Sequence, residues 1–173
     1  MLMKNFALLA AAFTTVMPAA ASASEIFGGV HAHAVKTPLS LEADREDGVD
    51  FSAGIRGNGI LGTPLQPHLF AQVNTNGGTN FLAAGLSAKF GRSLYVRPGL
   101  GLAIHDGSAS RFDRRDRLAF GSRILFEPEL AVGTRLNDRL SIEASWVHFS
   151  HAQLFSGQNP GIDNIGVRAN LRL

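Results

Sequence analysis

Between Leu94 and His105 the chain changes character at every residue. Leu94, Val96, Pro98, Leu100, Leu102 and Ile104 are apolar, and Tyr95, Arg97, Gly99, Gly101, Ala103 and His105 alternate with them. Period two is the geometry of a β-strand, whose side chains point to opposite faces in turn. The same alternation runs through Ile124–Gly133, Phe81–Phe90, Leu65–Val73 and Val49–Arg56. A weaker first strand covers about Ile26–Val35, and the last two cover Arg139–Ser150 and Asp163–Leu173. These segments predict eight strands, and no stretch carries the period of a long amphipathic helix.

The second face decides the fold class. It carries Arg56, Arg97, Glu127, Glu129, Glu143 and Arg168 together with several glycines. In a soluble lipocalin-like barrel or sandwich, the Leu/Val/Ile/Phe face would be the core. Here paired charges and glycines suit the crowded interior of a narrow barrel, so the apolar face is left for lipid. Strands of about ten residues also match a tilted crossing of a bilayer. Closure into a barrel pairs every backbone group where no water is available. The expectation is an all-β, eight-stranded antiparallel transmembrane β-barrel with Arg97, Glu127, Glu129 and Arg168 inside and Leu100, Leu130 and Leu171 on lipid.

Export and connectivity agree with that reading. Lys4, the apolar run Phe6–Met17 and the small residues Ala21-Ser22-Ala23 form a secretory signal peptide over residues 1–23, leaving 24–173 as one barrel domain. Gly91-Arg92 and Asn137-Asp138 read as short periplasmic turns, and Gly57–Pro64 as a longer one. Lys36–Gly48, His105–Gly121 and His151–Ile162 read as long extracellular loops. The absence of cysteine excludes disulfides and thiolate metal sites, and a net charge of +2 gives no reason to expect nucleic acid. Eight strands leave an interior filled by side chains, which argues against a transport pore.

The chemistry-bearing residues gather at the C-terminal hairpin. Leu140, Ile142, Ala144 and Trp146 form a lipid-facing row that continues into His148 and Ser150. On the last strand the outward row Leu171, Ala169, Val167 and Ile165 reaches Asp163 by parity. Residues two apart on a strand are about 6.6 Å apart and neighbouring strands lie about 4.8 Å apart, so His148 can bridge Ser150 and Asp163. An imidazole can take the serine proton, and a carboxylate can fix the imidazole tautomer. The plainer alternative is a set of interfacial polar residues at the rim. Polar groups on a lipid-facing row are usually functional, which favours the triad.

The stretch Trp146-Val147-His148-Phe149-Ser150, followed by Asn159-Pro160-Gly161-Ile162-Asp163, resembles the lipid A 3-O-deacylase (PagL) family. The resemblance implies an outer-membrane esterase that removes the 3-O-linked acyl chain of lipid A in lipopolysaccharide. It implies His148 as general base, Ser150 as nucleophile and Asp163 as the orienting acid, with no cofactor and no metal. His151 and Asn159 are implied near the substrate. Three positions differ from the family pattern: the acid is usually glutamate, asparagine usually follows the serine where His151 stands, and glycine usually stands where Gln153 does. The same fold can also serve a non-enzymatic structural or lipopolysaccharide-binding barrel.

Two further motifs are candidates. Arg111, Arg114, Arg115 and Arg117 lie in one loop and could grip lipopolysaccharide phosphates bidentately, or form internal ion pairs in a solvated loop. His31 and His33 share a face, but no third metal ligand is evident, and interior packing is the expectation. The expected partners are lipopolysaccharide and its lipid A, outer-membrane lipids, the barrel-assembly machinery during insertion and, as a possible homodimer, a second copy of the chain.

Overall fold

The computed structural model describes residues 24–40, 45–110, 118–155, 157 and 159–173. The strands are β1 (Glu25–Ala32), β2 (Val49–Arg56), β3 (Leu65–Asn74), β4 (Phe81–Ala88), β5 (Phe90–Gly91), β6 (Leu94–His105), β7 (Ile124–Arg135), β8 (Leu140–Phe149) and β9 (Ile162–Arg172). All pairings are antiparallel between neighbours; β1 pairs with β9, and β4 with β6 closes the sheet. β4 and β5 are one stave. The register Ser87↔Gly99 continues unshifted to Phe90↔Val96, and Pro98, which has no N–H for the ladder, stands opposite the break. The result is the expected closed eight-stranded barrel.

Burial follows parity, inside out. Arg97 and Glu127 are fully buried and Glu129 and Arg168 nearly so, whereas Leu100 is 60% exposed, Leu130 43% and Leu171 41%. Inside, the charges are paired. Arg168 donates to Glu129 at 2.6 Å, and Arg97 to Glu143 at 2.9 Å. Arg56 donates to Glu25 and to Asn170, both at 2.8 Å. Such pairing is what keeps charges tolerable out of water. Small residues make the room: a Cβ on Gly29 would stand 2.6 Å from the Arg168 side chain.

The outer mouth is plugged by side chains. Phe81 stacks on Phe149 at 3.9 Å, Phe120 meets Phe81 edge-on, and Leu118, Ala119 and Phe120 are fully buried. The first strand is shorter than the alternation suggested. It ends at Ala32 because the chain then crosses to β9, where Val35 N donates to Asp163 O at 2.7 Å and Ala34 N to Asn164 Oδ1 at 2.9 Å. Residues 33–40 therefore lie as a strap over the outer end of β9. The connection after β2 carries a short 3-10 turn, Ile60–Gly62, and Leu61 there is almost wholly exposed.

Candidate active site

Ladder register builds the site. His148 on β8 stands directly opposite Asp163 on β9. Ser150, just past the end of β8, is held to Phe126 of β7 by two backbone bonds, 2.7 and 3.2 Å long. All three side chains share the outward parity of Trp146 and Ile165. His148 Nδ1 is 2.8 Å from Asp163 Oδ1, and His148 Nε2 is 2.9 Å from Ser150 Oγ. An ionised carboxylate only accepts, so Nδ1 donates and Nε2 keeps its lone pair for the serine hydroxyl. That is the tautomer a serine nucleophile requires.

The outward row is not bare. Asp163 is fully buried and His148 is 7% exposed, while Ser150 is half-buried. The strap covers the acid. Ser40 Oγ donates to Asp163 Oδ2 at 2.5 Å, and the Thr37 hydroxyl donates to the same oxygen. Trp146 Nε1 donates to Asp163 Oδ1 at 2.6 Å. Gly161 closes the other side at φ +64, with room for no side chain between Leu39 O and His148. Beside Ser150 lie aromatic rings: Phe126, whose backbone pairs with Ser150, stacks near the exposed Phe155.

The residues after the serine turn inward. The His151 side chain is fully buried, and its Nε2 donates to Phe120 O at 2.7 Å. Its backbone N donates to Asn159 Oδ1 at 3.0 Å. Asn159 thus braces the loop, and the imidazole of His151 faces the barrel mouth rather than the outer surface. Ala152 and Gln153 both adopt left-handed φ, 51° and 61°, in a tight turn closed by Leu154 N to His151 O at 2.9 Å. The turn keeps a backbone shape that glycine adopts without strain, at about 1 kcal/mol per non-glycine residue. Arg111, Arg114, Arg115 and Arg117, like residues 1–23, on which the expected signal peptide falls, lie outside the described residues.

The remaining candidates are structural. His31 is buried in the lumen with Nε2 2.9 Å from Ser145 Oγ. His33 sits at the mouth between Asp50 (2.9 Å) and Glu46 (3.0 Å). Both its ring nitrogens face carboxylates, so both donate. Burial alone would lower its pKa, but the hydrogen bonds and charges of Asp50 and Glu46 prevail and raise it to about 9. Glu46 also accepts from Thr79 N and Oγ1 and from Leu118 N, tying three outer loops together. Among the described residues, no group of three or more His, Asp or Glu could hold a metal ion.

Sequence reasoning missed Thr37, Ser40 and the indole N–H of Trp146. The two hydroxyls are 126 and 123 residues from Asp163 in the chain and lie in a loop with no period to read. Gly161 stood inside the recognised stretch, but its role beside His148 needed coordinates.

Comparison with known proteins bears on family and fold. The family model described as Lipid A 3-O-deacylase (PagL) matches residues 33–172. No curated protein matches the chain. Among solved structures, the crystal structure of the outer membrane enzyme PagL aligns with a TM-score of 0.63 at 17% identity, covering 86% of this chain and 99% of that one. A de novo designed transmembrane β-barrel aligns at 0.54 and 10% identity (86% and 94% covered). Neisserial surface protein A (NspA) aligns at 0.51 and 12% identity (86% and 96% covered). At these identities the structural likenesses speak for the barrel fold alone.

Proposed function

Because the chain belongs to the lipid A 3-O-deacylase (PagL) family, we propose that Ser150, His148 and Asp163 are the catalytic triad of this outer-membrane ester hydrolase, working on its lipid-facing wall. The observation that carries the reading is the continuous chain Ser150 Oγ–His148 Nε2, His148 Nδ1–Asp163 Oδ1 at 2.9 and 2.8 Å. It lies on the face a lipid substrate can reach without leaving the membrane.

The steps follow from that geometry. Ser150 Oγ attacks the carbonyl carbon of the ester at the 3-position of lipid A as His148 Nε2 takes its proton. The tetrahedral intermediate collapses, the sugar oxygen leaves, and the His148 imidazolium returns the proton to it. A water then attacks the acyl-enzyme with the same base, freeing the 3-hydroxy fatty acid and restoring the serine. Asp163 keeps Nδ1 protonated and stabilises the imidazolium. Phe126 and Phe155 offer apolar surface beside the nucleophile, as an acyl chain needs. Residues 1–23 are read as the export signal, and the barrel-assembly machinery as the route of insertion of residues 24–173.

Mass spectrometry of lipid A from cells with and without the protein tests the function. The expected product is lipid A lacking one ester-linked 3-hydroxyacyl chain. Unaltered lipid A alongside a folded barrel would favour a purely structural or lipopolysaccharide-binding role.

A further inference from the structure

The Asp163 carboxylate is held by four donors. Oδ1 accepts from His148 Nδ1 and Trp146 Nε1, and Oδ2 accepts from the hydroxyls of Thr37 and Ser40. A carboxylate on the outer wall of a membrane barrel would otherwise face a medium that penalises charge. It could also swing about its own bond and present either oxygen, or neither, to the imidazole. The hydroxyls remove both problems. They supply hydrogen bonds in place of water, and they fix Oδ2 on the strap side so that Oδ1 faces His148.

The strap that carries them is itself fixed. Val35 N binds Asp163 O, Ala34 N binds Asn164 Oδ1, and Ser40 N binds Thr37 O at 3.2 Å. Leu39 N donates to Thr37 Oγ1 at 3.0 Å, so the one proton of that hydroxyl is left for the carboxylate. Ser40 is fully buried, its Oγ 2.5 Å from Asp163 and 3.2 Å from Val35 O, which assigns its proton to the acid. Neither hydroxyl is needed for barrel closure, because residues 33–40 lie beyond the β1 ladder.

We propose that Thr37 and Ser40, in the connection from β1 to β2, are positioning residues of the hydrolytic site: they lock the Asp163 carboxylate so that one oxygen stays on His148. The proposal rests on the triad reading above. It makes the first extracellular connection a working part of a site otherwise built from the C-terminal hairpin. The shorter acid is then held by contacts from across the β1–β9 seam.

The test is steady-state hydrolysis of purified lipopolysaccharide in detergent by the full-length folded protein. The variants are Thr37→Val, Ser40→Ala, their double, Thr37→Ser, Asp163→Asn and Ser150→Ala. Folding is read by heat-modifiable migration, and Ser150 reactivity by labelling with a fluorophosphonate. The double variant should lose roughly ten- to hundredfold in kcat, on the scale at which small misplacements of catalytic groups act, with KM within about twofold. Thr37→Ser should retain most of the rate. In the Asp163→Asn background the double substitution should cost less than about twofold more, since the carboxylate it positions is already gone. A double variant with wild-type kcat, beside an inactive Ser150→Ala, overturns the proposal and leaves the triad standing. An equal loss in both backgrounds also overturns it, by reducing the strap to scaffolding. Activity or labelling that survives Ser150→Ala overturns the triad reading itself. Should the double variant fail to fold, Ser40→Ala alone must still lower kcat at least about fivefold, and wild-type kcat there is equally fatal.

Discussion

Replacing Gly161 by alanine should impair the reaction without unfolding the barrel. Gly161 adopts φ +64, and an added Cβ would stand 2.9 Å from Leu39 O and 3.0 Å from His148 Cε1. Ordinary contact begins near 3.4 Å. If the ring does the yielding, it moves by about 0.4 Å and stretches a His148–Ser150 bond that is 2.9 Å long. On a scale where a misplacement of about 1 Å costs about a hundredfold, the expected loss in kcat is roughly five- to tenfold. The left-handed backbone adds about 1 kcal/mol of local strain. Gly77→Ala separates the two effects, because Gly77 has φ +78 on another outer loop and an added Cβ there meets nothing within 4 Å. The assay is initial-rate hydrolysis of lipopolysaccharide by both variants, with folded fraction read from heat-modifiable migration. Wild-type kcat in Gly161→Ala would refute the account of where the His148 ring is held. An equal loss in Gly77→Ala would trace the effect to backbone strain rather than to the ring.

Other outcomes follow from the interior, the mouth and the lipid face. Arg168→Ala strips Glu129 of its 2.6 Å partner in a fully buried setting, and should cost about 3–5 kcal/mol in urea unfolding of the detergent-folded barrel. Leu100→Arg, on an exposed position near the middle of β6, should cost about 2–4 kcal/mol in bilayers, whereas Leu100→Val should be near neutral. His33 has its pKa raised to about 9 in the fold, so the stability it contributes is full below about pH 6.5 and is lost as pH rises through 9. The amount is on the order of 3 kcal/mol. Protease protection of the first outer loop should therefore fall between pH 7 and 10 in the wild type and lose that dependence in His33→Gln.

How much of this was legible depends on periodicity. Alternation assigns faces, so Arg97, Glu127, Glu129 and Arg168 could be turned inward from the sequence, and His148, Ser150 and Asp163 could be put on one outer row. Alternation carries no information about what later covers a face. It leaves His148 and Asp163 bare on lipid, whereas the strap from β1 buries them, because loops have no period and contacts such as Ser40 to Asp163 span most of the chain. By the same parity His151, one residue past Ser150, falls off the row. Parity could not foresee that the imidazole would reach Phe120 O, which depends on a buried tripeptide, Leu118–Phe120, entering the mouth from another loop. The interruption at Lys89 was hidden for a different reason: alternation runs straight through it, and only the missing N–H of Pro98 breaks the ladder.

The most direct test of the central claim is release of 3-hydroxy fatty acid from purified lipopolysaccharide by the folded wild-type protein and by Ser150→Ala. Ser150 is half-buried on the outer wall, and a hydroxyl there serves no part of the barrel's closure, so the variant should fold as the wild type does. The wild type should release the fatty acid, and Ser150→Ala should release none above background. Unchanged release by the variant would contradict the triad reading and remove the serine mechanism.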